Sequence, residues 1–239
     1  MQAVYDSSMS RRSYSQSLNV NGGSIAFPSS YEINGSSVSY PNGSGYFNIN
    51  SDAFTIEWFQ YFRSGGAQTS PRVFSIGSYG PNNIAIAFAH SGTDGSRTAI
   101  LIINNNQINL GAFANENTWY HFAIVGNGTT IQVYRNGQKI GGTNAYTTIT
   151  STAALTIGNE TSQNFTAGYY GYIAQFRWVK GTAVYTATSF TPPTAPLTAI
   201  SGTLLLLSSF DSVNVTKDYG PNNLTSTPIG ISWASNAPF

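Results

Sequence analysis

The sequence predicts an all-β fold, and three features predict it. No window sustains apolar residues at the i, i+3, i+4, i+7 spacing of an amphipathic helix. Runs that alternate apolar and polar residues recur along the chain, as half-buried strands require. Between those runs stand turn-forming pairs, including Asn127-Gly128 and Asn136-Gly137. A chain of 239 residues also suits one β-sandwich, which commonly uses this much sequence as a single domain.

Taken in order, Phe54-Thr55-Ile56-Glu57-Trp58 alternates with Phe54, Ile56 and Trp58 on one face and Thr55 and Glu57 on the other. Continuing that parity puts Phe59 and Tyr61 on the Glu57 side. Contiguous aromatics on an outward face imply cover by a loop or another subunit, so both are interface candidates. Strands are expected at 72–76, 84–88 and 99–103, then at 120–125 and 131–135 as a hairpin around Asn127-Gly128. Asn136-Gly137 turns the chain again towards Ile140. Further strands fall at 155–157, 171–179, 204–208 and 229–233. The uninterrupted apolar runs at 99–103 and 204–207 predict strands covered on both faces. The pentapeptide Tyr-Gly-Pro-Asn-Asn occurs at 79–83 and 219–223, each copy reading as turn chemistry. Residues 191–196 hold three prolines and are expected to form an extended surface crossover. Residues 1–16 read as a polar arm and 17–239 as one domain. The arm, with Arg11 and Arg12, is a candidate contact to partner proteins.

Lys and Arg number 10 against 9 Asp and Glu, a net charge of +1. That balance offers no cationic footprint for a phosphate backbone, so no nucleic-acid partner is expected. Asn, Ser and Thr together supply 78 residues, so water is met mainly by neutral groups. The 41% hydrophobic and 14% aromatic content specifies a core and excludes disorder. Without cysteine there is no disulfide, no thiolate nucleophile and no Cys-based metal site. No apolar run approaches the ~20 residues of a membrane span, and residues 1–16 carry no export signal, so membrane insertion is not expected.

Several segments resemble the laminin G-like branch of the concanavalin A-like lectin/glucanase superfamily, of the type found in phage and large algal-virus proteins. They are Ser17-Leu18-Asn19-Val20-Asn21-Gly22, Phe54-Thr55-Ile56-Glu57-Trp58, Trp119-Tyr120-His121-Phe122-Ala123-Ile124 and Val133-Tyr134-Arg135-Asn136-Gly137. Leu155-Thr156-Ile157-Gly158, Gly171-Tyr172-Ile173-Ala174-Gln175-Phe176-Arg177, Phe190-Thr191-Pro192-Pro193-Thr194 and Asp218-Tyr219-Gly220 follow in the family's order. The resemblance implies a jelly-roll sandwich of two antiparallel sheets. It implies no single activity, because the superfamily hosts lectins, adhesion modules, capsid domains and glycosidases alike.

The residues narrow the choice. Glycosidases of this fold carry a Glu-x-Asp-x-x-Glu strand that aims two carboxylates at the sugar, and that pattern is missing here. Asp52 and Glu57 have odd spacing and would face opposite ways on one strand. Glu57 is expected to be an exposed strand carboxylate, His121 a sheet-face or core histidine, and His90 a solvated one. Relatives bind calcium at the sandwich rim, which makes Asp94 and Asp218 candidate ligands, although both are also ordinary turn residues. For sugar binding the candidates are the loop aromatics Tyr79, Tyr146, Phe165, Tyr169 and Tyr170, with Asn164 beside them. Asn-x-Ser/Thr sequons stand at Asn34, Asn42, Asn127, Asn159, Asn164, Asn214 and Asn223. The expectation is a non-enzymatic structural and binding domain of a virus-particle surface: a minor capsid, decoration or fibre protein. It would contact other virion proteins and host glycans, with a homo-oligomer open to it and no cofactor unless calcium. The alternatives are a lectin-like module at the cell surface or outside the cell, and a polysaccharide hydrolase.

Overall fold

The computed structural model describes residues 19–20, 23–24, 30–66, 68–79, 83–112, 115–162, 167–208 and 214–239. The strands are β1 (Asn19–Val20), β2 (Gly23–Ser24), β3 (Ser30–Asn34), β4 (Ser37–Tyr40), β5 (Phe54–Phe62) and β6 (Arg72–Ile76). They continue as β7 (Ile86–Ser91), β8 (Thr98–Ile103), β9 (Asn106–Ala112), β10 (Trp119–Gly126), β11 (Thr130–Arg135) and β12 (Gln138–Ala145). Last come β13 (Leu155–Ile157), β14 (Tyr170–Lys180), β15 (Thr203–Leu207), β16 (Thr227–Ile229) and β17 (Ser232–Ala234). The run expected at 229–233 is divided: Gly230, at φ 68, breaks it and sends its two halves to different sheets.

Two antiparallel sheets pack face to face. One has eight strands in the order β12-β11-β10-β5-β14-β3-β17, with β15 also pairing to β14. The other has seven, ordered β16-β4-β13-β6-β7-β8-β9. Their inner faces make the core. Phe54, Ile56, Trp58 and Phe62 of β5 all point inward and are fully buried, as the alternation predicts. Trp58 lies at the centre, with Phe74 at 5.5 Å and Phe88 at 4.8 Å from the facing sheet and Phe122 stacked beside it at 5.7 Å. Gln60 is the polar exception on that inner stripe. Its Oε1 accepts the Trp58 indole N–H at 2.8 Å, and its Nε2 donates to His90 Nε2 at 2.8 Å, which links the three side chains in a buried polar relay inside the core.

Part of the outer face of the eight-stranded sheet is also covered. Between β14 and β15 the chain crosses it in residues 181–200, the segment whose prolines bar it from a central strand. Tyr185 and Phe190 stack at 3.7 Å and pack with Ala183 over Ala123, Val125 and Tyr134. The β11–β12 hairpin anchors this crossover. Asn136 and Gly137 take φ of 47° and 74°, the doubly left-handed turn that suits a two-residue hairpin. Gly137 O then accepts the Phe190 N–H at 3.0 Å, and a Cβ at Gly137 would run into the Phe190 carbonyl.

Candidate functional site

The outer face of β10, β5 and β14 carries a buried charged centre and, further along the same strands, a half-exposed aromatic patch. Both depend on one irregularity in β14. Gln175 has φ 54, and the ladder to β5 slips between Ala174, opposite Phe59, and Arg177, opposite Glu57. The extra residue is a β-bulge, and it reverses the parity downstream. Tyr172 and Arg177, five positions apart, therefore both face outward. The bulged residue is held in place, with Gln175 Nε2 donating to Ser208 O at 2.6 Å and its Oε1 accepting the Leu197 N–H at 3.0 Å.

Glu57 is not the exposed carboxylate that its strand parity suggests; it is fully buried. Its Oε1 accepts from Arg177 Nε at 2.9 Å and from Arg177 Nη2, while Oε2 accepts from the Tyr185 hydroxyl at 2.7 Å and from His121 Nε2 at 3.2 Å. Alternation placed Glu57 outward correctly, but the 181–200 crossover closes over it. Burial alone raises the Glu57 carboxyl pKa, yet the His121 hydrogen bond, the Arg177 and His121 charges and the Tyr185 hydroxyl more than offset this and hold it below its ordinary value. Tyr185 is pushed the other way, first by burial and then by Glu57, so it remains a donor. With both oxygens occupied and two stacked rings above it, this acid is a clamp for the crossover. Asp52, the other acid on this stretch, pairs instead with Lys180 at 3.6 Å.

Beyond the clamp, Trp119, Tyr61 and Tyr172 occupy one rung across β10, β5 and β14. Their centroids form a near-equilateral triangle, with Tyr61 5.7 Å from Trp119 and 5.5 Å from Tyr172, and 6.4 Å between Trp119 and Tyr172. All three rings are half-buried. The rim is polar: Arg63 lies 4.4 Å over Tyr170 and 5.1 Å over Tyr172 and pairs with Glu32 at 3.0 Å, and Asn236 Oδ1 accepts the Trp119 indole N–H at 3.2 Å. Rings with wet polar tips, ringed by amide, guanidinium and carboxylate, can stack on sugar C–H groups and bond hydroxyls around them.

A family model described as the concanavalin A-like lectin/glucanases superfamily matches residues 33–184. The chain belongs to that superfamily. No curated protein sequence matches it. Among solved structures, a proposed carbohydrate-binding protein from Bacteroides ovatus is similar with a TM-score of 0.61 at 14% identity, covering 88% of this chain and 60% of that one. The native heptameric SAP-like pentraxin of Limulus polyphemus aligns at TM-score 0.47 and 16% identity, over 63% of this chain and 75% of its own. Domains LG4-5 of the mouse laminin alpha1 chain align at 0.42 and 11%, over 72% and 48%. At 14% identity the likeness to the Bacteroides structure shows the fold alone, and the chain spans less than two thirds of the Bacteroides and laminin structures.

The other sequence-derived candidates scatter over the sandwich. Tyr61 is in the patch, with Tyr170 at its rim. Phe59, in the same outward row, is 5% exposed and meets His121 at 4.9 Å and Phe239 at 5.4 Å, so its cover comes from this chain. Tyr79 lies on the seven-stranded sheet's side, 58% exposed, its hydroxyl accepting from Gln107 Nε2 at 2.9 Å and its backbone N–H given to Glu160 at 3.3 Å. Tyr146 is half-buried, with its hydroxyl donating to Asp52 O at 2.7 Å. Tyr169 does lie in the loop just ahead of β14, but it is fully buried in the core, 5.2 Å from Phe62, and so cannot meet a glycan there. His90 is buried too, since β7 runs past the predicted 84–88 to residue 91 and carries it onto the inner face. Burial, and then the nearby Arg97 charge, lower its pKa to about 3.

Both calcium candidates are engaged by protein donors. Asp94 accepts from Gly65 N–H and pairs with Arg97 at 2.8 Å, the same guanidinium lying 3.6 Å from Glu116. Asp218 is 1% exposed and accepts the N–H groups of Leu206, Gly220 and Leu224. Among the described residues no three His, Asp or Glu gather into a metal-binding group. No helix among them is long and apolar enough to cross a membrane. Of the sequons, Asn42 and Asn159 are buried and use their side chains to hold neighbouring backbone. Arg11, Arg12, Asn164 and Phe165 lie outside the described residues. Strand parity alone places Trp119 outward with Tyr61; Tyr172 joins them only once the β14–β5 register is known.

Proposed function

We propose that this domain is a non-enzymatic carbohydrate-binding module that holds uncharged glycan chains against the Trp119, Tyr61 and Tyr172 patch. The patch itself carries the reading, being three part-exposed rings on one rung of a lectin-type sandwich with hydrogen-bonding groups around it. The Glu57 clamp supports the non-enzymatic half. Hydrolysis of a glycosidic bond needs one acid free to donate and a second free to attack or activate water, whereas Glu57 is buried with four donors on its two oxygens.

A glycan array probed with the full chain tests this, followed by titration of the best neutral oligosaccharide. Trp119→Ala and Tyr61→Ala should each weaken binding by roughly tenfold or more, as truncation of a central aromatic contact does. Tyr79→Ala should leave it unchanged. The reverse pattern would move the site to the exposed Tyr79 ring, and release of reducing ends would make the domain a hydrolase. On the sequence resemblance described above, we further read the module as displayed on the outer surface of a virus particle. Cosedimentation with purified particles tests that placement, and its absence from them would favour a cell-surface or secreted lectin.

A further inference from the structure

We propose that residues 235–239 are a displaceable strap over the aromatic patch, so that glycan must compete with the chain's own side chains; this rests on the glycan reading of that patch. After β17, at the edge of the eight-stranded sheet, the chain turns back over the outer face without pairing as a strand. Two side chains attach it. Asn236 Oδ1 takes the Trp119 indole N–H at 3.2 Å, and Phe239 meets Phe59 edge-on at 5.4 Å and 88°. The first contact occupies the sole hydrogen-bond donor of the ring best suited to stack on a sugar, supplying an acceptor oxygen where a hydroxyl of the ligand would sit. The second covers Phe59, next to the patch; with His121 also against it, Phe59 is only 5% exposed.

The strap is built to let go. Ser235 is exposed and residues 236–239 are all partly exposed. One neutral hydrogen bond and one edge-to-face pair are weak anchors beside the clamp on the 181–200 crossover, which combines an ion pair, a tyrosine hydroxyl and stacked rings. The same face thus carries one cover that is pinned and one that is not. A ligand that binds only the open state has its affinity reduced by the open fraction. Releasing the strap must then tighten binding by the share that its anchors had withheld.

The test uses the full chain, a chain ending at Ala234, and the double variant Asn236→Ala/Phe239→Ala, which keeps the backbone. The probes are cellohexaose and laminarihexaose, titrated calorimetrically, and exchange of the Trp119 indole proton is followed by NMR. Both altered chains should bind the preferred probe about three- to tenfold more tightly, the change that one neutral hydrogen bond corresponds to. Their Trp119 indole proton should also exchange faster. The peptide Ser-Asn-Ala-Pro-Phe, added to the shortened chain, should slow that exchange again and weaken probe binding. Unchanged or weaker affinity in the double variant, with unchanged indole exchange, would overturn the strap. If neither probe binds any form, the strap is judged by indole exchange alone: faster exchange supports it and unchanged exchange sinks it, while the glycan reading stands or falls with the array.

Discussion

At Glu57 a carboxylate leaves water completely and receives four hydrogen bonds, two of them from one guanidinium. Desolvating both ions is costly, and the pair persists because every lone pair has a donor and the partner charge is adjacent. Removing one partner exposes that cost. Arg177→Met should lower the unfolding free energy by about 3–5 kcal/mol in a denaturant titration, the range for an orphaned buried charge. Adding Glu57→Gln to that variant should restore part of it; no recovery would mean that Arg177 acts by packing alone. His90 imposes a second pH dependence. Its folded pKa is about 3 against an ordinary 6.5, so below pH 6.5 the unfolded chain takes up a proton that the folded chain refuses. Stability is thus full above that value and declines as pH falls towards 3. Glu57 adds to the loss below its ordinary 4.5, because its folded value is depressed and its contribution disappears as it protonates. Melting temperature should fall steadily from pH 6.5 to 3, and His90→Gln should flatten the upper part of that slope.

At the scale of elements, the outer face is organised by a hairpin, a bulge and a crossover that hold one another. The Asn136-Gly137 turn presents Gly137 O to Phe190, Thr55 Oγ1 accepts the Val184 N–H at 2.9 Å, and Arg177 donates to Thr198 O at 2.6 Å. Gly137→Ala should cost at least ~1–2 kcal/mol for its left-handed backbone, before the clash with Phe190 is counted. Hydrogen exchange should then rise across 184–198 and not in the β6–β7 hairpin of the facing sheet. Uniform exchange over both sheets would show that the turn does not specifically hold the crossover. The strand reading was accurate where one period ran unbroken, as in β5 and in the β10–β11 hairpin. It failed at 229–233, where Gly230 redirects the chain between sheets.

At the scale of the whole molecule charge is scarce, at 8% of the residues. Among the described residues Glu32, Asp52, Glu57, Asp94 and Glu116 are ion-paired, and the hydroxyl- and amide-rich composition leaves a mainly neutral surface. Such a surface has little long-range field to steer a charged ligand. Glycan binding should therefore vary little with salt, and a steep loss of affinity at high ionic strength would point to an acidic polysaccharide. Because Arg97 and backbone amides already occupy Asp94 and Asp218, EDTA should leave both the melting transition and glycan binding unchanged; a drop in either would establish a metal ion in the domain.

The sequence by itself determined the all-β class, the inward stripe of β5, the Asn-Gly turns and the absence of the glycosidase carboxylate pattern. These are local properties, set by side-chain period and by which residues tolerate a left-handed backbone. Only the tertiary structure decided that Glu57 and His90 are buried, that Tyr172 and Arg177 share a face, and that Trp119, Tyr61 and Tyr172 converge. Those outcomes depend on which strands become neighbours and where one extra residue shifts their register. They also depend on which distant segment lies over a face, as Tyr185 does over Glu57 from 128 positions away. No periodicity within a strand encodes such partners.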